Sequence, residues 1–134
     1  MTSTLVDSNV LLDVLSEDPK WESWSAQALE RCAGDGDLCI NPIIYAEVST
    51  DFARIEEVNL ALPEDFLRRL PIPMEAAFLA GKAYVNYRRQ GGTRTCALPD
   101  FFIGAHAAVG EMRLLTRDAT RYRTYFPTVE LIAP

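Results

Sequence analysis

Short apolar segments alternate with helical segments along the chain, and this alternation restricts the folds that are open to it. Three segments have the length and composition of buried strands: Thr4-Leu5-Val6, Leu38-Cys39-Ile40 and Arg113-Leu114-Leu115-Thr116. A last strand is predicted at Thr128-Val129-Glu130-Leu131. Strands that alternate with helices indicate an α/β fold with a mainly parallel sheet.

The helices are predicted from apolar spacing, capping residues and glycine or proline boundaries. They cover residues from Val10, 21–33, from Pro42 to about Phe52, 63–69, 74–89 and from Pro99 to about Val109, with a short helix after Asp118. Asn41-Pro42 gives an N-cap followed by a first-turn proline. Met74, Phe78, Gly81 and Val85 fall on one side of their helix, and Pro71-Ile72-Pro73 is either a compact connector or an edge strand.

The length of the chain favours one globular domain over residues 1–134. Residues 1–67 hold three basic and fourteen acidic side chains, whereas residues 68–134 hold ten basic and five acidic ones, which together give the net charge of −6. A basic half beside an acidic cleft is suited to holding phosphates near a metal, although the asymmetry is equally consistent with ordinary surface variation.

The beginning of the chain lacks the features of a signal peptide, because Asp7 and Asp13 interrupt its apolar residues. The longest apolar run, from Phe101 to Gly110, is too short to cross a membrane. We therefore expect a cytoplasmic protein without a membrane partner. Three widely spaced cysteines, Cys32, Cys39 and Cys96, predict reduced thiols, two of them half-buried.

Four acidic residues stand beside apolar segments, where a carboxylate is costly unless it is paired or bound to a cation. Asp7 ends the first strand, Glu47 lies inside a helix, Asp100 opens another helix and Asp118 follows the third strand. Ligands of parallel sheets bind at the carboxyl ends of the strands, so all four acids are able to face one rim. Each has an alternative role: Asp7, Asp100 and Asp118 as stabilisers of helix N-termini, and Glu47 as a surface residue.

An all-carboxylate set of this kind suits Mg²⁺, or Mn²⁺, because hard cations prefer oxygen ligands. One or two such ions would bridge a phosphate, lower the pKa of a water and orient it for in-line attack. The pattern therefore predicts a metal-dependent nuclease that hydrolyses phosphodiester bonds.

Four stretches in order resemble the PIN-domain nucleases, and among them the VapC-like toxins of type II toxin–antitoxin pairs. They are Leu5-Val6-Asp7-Ser8-Asn9-Val10-Leu11-Leu12-Asp13, Ile44-Tyr45-Ala46-Glu47-Val48, Leu98-Pro99-Asp100-Phe101-Phe102-Ile103-Gly104-Ala105-His106-Ala107 and Leu115-Thr116-Arg117-Asp118. The resemblance spans nearly the whole chain and implies a PIN-like, three-layer α/β/α domain with a roughly five-stranded sheet.

The resemblance also implies roles for individual residues. The four metal-binding acids of the family map onto Asp7, Glu47, Asp100 and Asp118, the last being the family's most variable. Thr116 matches a hydroxyl residue near the metal-bound water or phosphate, and Asn9 matches a polar residue that orders the site.

The expected activity is endoribonuclease cleavage that leaves a 5′-phosphate and a 3′-hydroxyl. The expected partners are RNA, a second copy of the chain in a homodimer, and a small antitoxin protein that blocks the cleft with a basic side chain.

The basic residues near the predicted site are candidate RNA contacts, namely Arg88, Arg89, Arg94 and Arg117. Arg88 and Arg89 could equally stabilise a helix C-terminus. Arg117, Arg121 and Arg123 stand among Tyr122 and Tyr125, where unpaired bases could stack, although buried tyrosines with exposed arginines are the simpler interpretation.

His106 is interpreted as a packing or capping residue. Trp21 and Trp24 are interpreted as core, or as anchors for a partner helix.

Two other functions fit the same residues. In a phosphatase or phosphotransferase, Asp7 would be a covalent nucleophile, although Asn9 stands where that class usually has a second Asp, and the chain has only Lys20 and Lys82 as lysines. A binding module that retains the acidic pocket without turnover is the other alternative.

Overall fold

The computed structural model of the chain describes residues 1–94 and 98–134. The strands in these residues are β1 (Thr4–Val6), β2 (Leu38–Ile40), β3 (Leu67–Arg69), β4 (Arg113–Leu115) and β5 (Leu131–Ile132). The helices are α1 (Ser8–Leu15), α2 (Glu22–Asp35), α3 (Pro42–Ser49), α4 (Ile55–Ala61), α5 (Met74–Arg89), α6 (Pro99–Val109) and α7 (Thr120–Tyr125). Within the described residues no helix is long and apolar enough to cross a membrane.

The five strands form one sheet in the order β3-β2-β1-β4-β5, and every neighbouring pair is parallel. The central strand β1 is fully buried, as expected for a parallel sheet covered by helices. Val6 pairs with Leu115, so β1 and β4 end side by side at the same edge of the sheet. The predicted α/β fold with a parallel, five-stranded sheet is confirmed.

Capping residues and prolines start the helices where the sequence predicted. The side chain of Asn41 accepts a hydrogen bond of 3.0 Å from the backbone N–H of Ile44, and Pro42 occupies the first turn of α3. Helices α5 and α6 have the predicted bounds and pack against each other. Gly104 of α6 lies against Phe126, and a Cβ atom there would overlap the phenyl ring.

The segment between α3 and α5 was predicted wrongly. Residues 63–69 were expected to be helical, but Leu67–Arg69 is the edge strand β3, and the preceding helix α4 was not predicted. Helix α4 buries Val58 and carries two glutamates in its first turn, so it lacks an apolar stripe. Strand β3 buries Leu67 alone, so the usual strand pattern is missing as well. Pro71-Ile72-Pro73 forms a connector.

Smaller differences concern boundaries and burial. Helix α1 begins at Ser8 rather than Val10, and β5 lies later than the predicted final strand. The side of α5 that carries Met74, Phe78 and Val85 is exposed, because the helix buries its small alanines against α6 instead.

The cysteines within the described residues, Cys32 and Cys39, are free thiols and are buried more deeply than predicted. Cys96 lies outside the described residues.

Candidate active site

Asp7 stands where β1 ends and α1 begins. Its backbone N–H donates a hydrogen bond of 2.9 Å to the carbonyl of Leu115, which continues the pairing of β1 with β4. Its carboxylate Oδ1 accepts a hydrogen bond of 2.8 Å from the backbone N–H of Ser8, so Asp7 is also the N-cap of α1. The residue is 4% exposed. The backbone therefore holds this buried carboxylate at the carboxyl edge of the sheet.

Thr116 and Asn9 connect Asp7 to the loop that follows β4. The hydroxyl of Thr116 donates a hydrogen bond of 2.8 Å to Asp7 Oδ2, and Asn9 Nδ2 lies 3.4 Å from Thr116 Oγ1. Asn9 Oδ1 accepts a hydrogen bond of 3.1 Å from the backbone N–H of Arg117. The two polar side chains thus fix the end of β4 against the start of α1.

Ser8 links Asp7 to Glu47. While its backbone N–H donates to Asp7, its hydroxyl donates a hydrogen bond of 2.9 Å to Glu47 Oε1. Glu47 projects from α3 and is half-buried, so it is directed into the protein and is not a free surface residue. One serine therefore holds two acids from different elements.

Tyr122 links Asp7 to Asp100 in a similar way. Its hydroxyl donates a hydrogen bond of 2.9 Å to Asp7 Oδ2 and lies 3.4 Å from Asp100 Oδ1. Asp100 is in the first turn of α6, and its second oxygen accepts a hydrogen bond of 3.2 Å from Arg121 Nη1. The fold thus brings Asp7, Glu47 and Asp100 together, with one hydroxyl group between each neighbouring pair.

Asp118 stands farther out than the other three acids. Its backbone N–H donates to the hydroxyl of Thr116 over 3.2 Å, and the residue is exposed. It does not cap α7, whose N-cap is Ala119. Asp118 and Asp100 line a common cavity of about 430 Å³, so Asp118 borders the same opening as Asp100.

Burial sets the electrostatics of this cluster. Loss of hydration raises the pKa of Asp7 and that of Glu47, and the neighbouring carboxylates raise both further. The hydroxyls of Thr116 and Tyr122 oppose this by stabilising the ionised form of Asp7. Burial and the adjacent carboxylates also raise the pKa of Tyr122, which is therefore a neutral phenol at physiological pH.

The donor set fits a hard divalent cation, because carboxylate oxygens from separate elements face one another across single hydroxyl groups. Within residues 1–94 and 98–134, no three Asp, Glu, His or Cys side chains already form a cage for a metal ion. The acids do not converge on one point because protein donors engage both oxygens of Asp7. Asp7, Glu47 and Asp100 are the side chains that could hold an ion here.

Two of the candidate RNA-binding arginines have partners within the protein. The guanidinium of Arg117 forms two hydrogen bonds with Asp13, of 2.9 and 3.1 Å, and also lies over the ring of Trp21. Asp13 is 3% exposed and accepts a third hydrogen bond from Ser25, so this pair connects a buried carboxylate to a partly exposed arginine. Arg88 Nη1 donates to the carbonyls of the loop that follows its own helix, at Gly92 and Arg94.

The remaining candidate residues lie as follows. Arg89 and Arg94 are exposed. His106 is buried, and its Nδ1 lies 3.1 Å from the amide nitrogen of Asn41, which confirms the interpretation as a packing residue. Trp21 and Trp24 are partly buried and meet edge to face, with ring centroids 6.3 Å apart.

The hydrogen bonds of Ser8, Tyr122 and Arg121 with the acids were not predicted from the sequence. Ser8 had one available signal, its position directly after Asp7. Arg121 and Tyr122 stood out only as a mixture of cations and aromatic residues near Asp118, because their contacts with Asp100 and Asp7 join residues that are far apart in the chain.

Comparison with protein families matches residues 4–127 to the PIN domain. The chain belongs to the PIN domain family. PIN domains are nucleases, which are hydrolases. The acidic cluster therefore belongs to a protein of a hydrolase family. A search of curated proteins returned no match.

Solved structures with the same fold come from toxin–antitoxin complexes. VapBC2 from Rickettsia felis, bound to a DNA fragment from its promoter, aligns with a TM-score of 0.77 and 17% identity over 99% of both chains. VapBC-1 from nontypeable Haemophilus influenzae aligns with a TM-score of 0.74 and 16% identity over 98% of both chains. A toxin–antitoxin complex from Klebsiella pneumoniae aligns with a TM-score of 0.65 and 24% identity over 89% of both. At these identities, the likeness of this PIN domain to those proteins demonstrates a shared fold.

Proposed function

We propose that this PIN domain is a Mg²⁺- or Mn²⁺-dependent endoribonuclease. The observation that carries the proposal is the meeting of Asp7, Glu47 and Asp100 at the carboxyl edge of the sheet. Three carboxylates so close together repel one another, and a divalent cation is the partner that would keep all three ionised.

The protein side chains have separable roles in this proposal. Asp7, Glu47 and Asp100 hold the ion, and Asp118 contributes from the rim of the cavity. Thr116 fixes the position of Asp7 and Asn9 holds Thr116, and the Thr116 hydroxyl is proposed to orient a water or a phosphate oxygen. A bound ion would supply an activated water and stabilise negative charge on the phosphate and the leaving oxygen. Arg89 and Arg94, which are exposed, remain candidate RNA contacts, because the side chains of Arg88 and Arg117 are bonded within the protein.

The test is cleavage of total cellular RNA by the purified protein in Mg²⁺, Mn²⁺ or EDTA, with mapping of the cut ends. We expect cleavage that requires the metal and leaves 5′-phosphates. Asp7→Asn and Asp100→Asn should each reduce the rate by at least about a hundredfold, whereas the exposed loop residue Asp65 should tolerate Asp65→Asn. Wild-type rates in both site variants would refute the assignment.

We further propose that the chain is the toxin of a toxin–antitoxin pair and that it acts as a homodimer. The shared fold with the toxin–antitoxin complexes supports the first part. The exposed apolar side chains of Met74, Phe78 and Val85 on α5 support the second, because large exposed apolar patches commonly mark interfaces. Expression with and without the protein encoded by the neighbouring reading frame tests the toxin role, and light scattering of the purified chain tests the dimer.

A further inference from the structure

Arg121 differs from the other arginines near the acids in how it is held. Its Nη1 donates a hydrogen bond of 3.2 Å to Asp100 Oδ2, and the two side chains are 40% and 37% exposed. By contrast, Arg117 is paired with a carboxylate that is 3% exposed. The Arg121–Asp100 pair therefore lies at the mouth of the acidic cluster, where solvent and a substrate can reach it.

Aromatic rings fix the orientation of the Arg121 guanidinium. Its central carbon lies 6.0 Å from the ring centroids of both Tyr87 and Phe101. Within the described part of the chain, Arg121 Nε and Nη2 have no hydrogen-bond partner. A guanidinium with one edge on a carboxylate and other donors available is suited to binding a phosphate through two parallel hydrogen bonds.

The space beside Arg121 is large enough for part of a nucleotide chain. Arg121 lines the cavity of about 430 Å³ together with Asp100, Asp118 and the rings of Tyr87 and Tyr125. Cavities of roughly 300–1,000 Å³ are typical of small-molecule sites. The cavity thus combines a proposed metal ligand, a cation and aromatic surface in one opening.

An acidic metal site has to accept a polyanion, and the ion alone neutralises only part of the carboxylate charge. We propose that Arg121 binds a phosphate of the RNA next to the bond that is cut, with its guanidinium held against Asp100 at the mouth of the site. This inference rests on the proposed nuclease function and adds a substrate-binding residue to it. Because its positive charge lies beside a metal ligand, Arg121 also competes electrostatically with the ion for Asp100.

The test measures RNA binding and metal binding separately. Binding of a fluorescein-labelled, single-stranded RNA of twelve nucleotides is measured in Mn²⁺ by anisotropy, with Asp7→Asn present in every variant to prevent cleavage. Arg121→Gln, Arg121→Lys and the matched control Arg123→Gln, an exposed arginine on the same helix, are compared. Mn²⁺ affinity is measured by calorimetry on the single variants without RNA, after circular dichroism has verified that each one is folded.

We expect Arg121→Gln to weaken RNA binding about tenfold. The slope of log affinity against log salt concentration should fall by about one released counterion. Arg121→Lys should lose part of the affinity, because it keeps the charge without the planar fork. Mn²⁺ affinity should stay the same or rise in Arg121→Gln. A residue that only supports the fold would not weaken RNA binding while leaving metal binding intact.

Equal RNA affinity in the Arg121→Gln and Arg123→Gln variants would overturn the inference. Faster cleavage by Arg121→Gln at limiting metal with unchanged RNA affinity would overturn it too, since Arg121 would then only obstruct the site. Failure of the nuclease proposal has a different signature: wild-type protein leaves RNA intact in Mg²⁺ and Mn²⁺. The binding comparison decides the role of Arg121 in that case as well.

Discussion

The hydroxyl of Tyr122 donates a hydrogen bond of 2.9 Å to Asp7 Oδ2, across more than a hundred residues of sequence. The same oxygen of Tyr122 lies 3.4 Å from Asp100, so the phenol occupies the space between two carboxylates. A neutral hydroxyl there reduces the repulsion between them and sets their separation.

Tyr122→Phe should therefore disturb the acids without emptying the space, because the ring is retained. We expect the rate of RNA cleavage to fall by about tenfold, as for other residues that orient metal ligands. Affinity for Mn²⁺, measured by calorimetry, should change as well. Tyr125→Phe is the matched control, because its hydroxyl contacts Gln90 instead of an acid. Unchanged cleavage and metal affinity in Tyr122→Phe would show that the hydroxyl does not position the acids.

Asp7→Asn should stabilise the metal-free protein at neutral pH. Burial raises the pKa of Asp7 above its unfolded value of 3.8, so the folded state binds this proton more tightly than the unfolded chain does. Ionisation of Asp7 therefore lowers stability as pH rises through the unfolded pKa and then the folded pKa. Asparagine avoids that charge and still caps α1.

The measurement is thermal unfolding in EDTA between pH 4 and pH 8. We expect a higher melting temperature for Asp7→Asn at pH 7, by roughly 4 °C for each kcal/mol gained, and a gain that shrinks toward pH 4. Asp65→Asn should follow the wild-type curve. A lower melting temperature for Asp7→Asn at pH 7 would mean that its hydrogen bonds outweigh the cost of burial.

Arg117→Gln should destabilise the fold, because it leaves the buried carboxylate of Asp13 without its cation. Because Arg117 is partly exposed and Ser25 still donates to Asp13, we expect a loss of about 1–3 kcal/mol in the free energy of unfolding. The double variant Asp13→Asn/Arg117→Gln should recover part of the loss. Arg68→Gln, which removes an exposed ion pair with Asp37, should cost less than about 1 kcal/mol. Urea unfolding measures all four proteins, and a loss in Arg117→Gln no larger than in Arg68→Gln would contradict a structural role.

Gly104→Ala should cost about 1–3 kcal/mol, because the added methyl group would overlap the ring of Phe126. Gly81→Ala is the matched comparison, since Gly81 also lies inside a helix and a Cβ atom there meets nothing within 4 Å. That change should stabilise the protein by about 0.5–1 kcal/mol. Chemical denaturation of both variants measures the difference, and equal effects would show that α6 tolerates a wider separation from Phe126.

Much of the fold could be predicted because local signals agree with the tertiary structure. Asn41-Pro42 and Pro99 mark helix starts, and the buried strands are continuous apolar runs. Helix α4 and strand β3 could not be predicted, since each buries one side chain and its remaining residues are exposed. The exposed apolar side of α5 shows the same limit: spacing identifies a face, but packing decides whether the face is buried.

The candidate site, like the fold, could be predicted from the sequence only in part. Acids that directly follow strands are visible in the sequence, because strand ends of a parallel sheet share an edge. The roles of Arg117 and Arg121 could not be distinguished, since they are identical side chains only four positions apart in the sequence. Only their tertiary contacts, with buried Asp13 and with Asp100 at the cavity mouth, separate them.

Asp7 is both the N-cap of α1 and a proposed metal ligand. This combination limits which substitutions at position 7 could inactivate the protein without weakening the helix. Most replacements at position 7 would remove the cap and weaken α1 as well as removing the proposed metal ligand. Asparagine and serine are the exceptions, because they cap helices about as well as aspartate does. An inactive descendant that keeps a good cap on α1 would therefore carry one of these two residues at position 7.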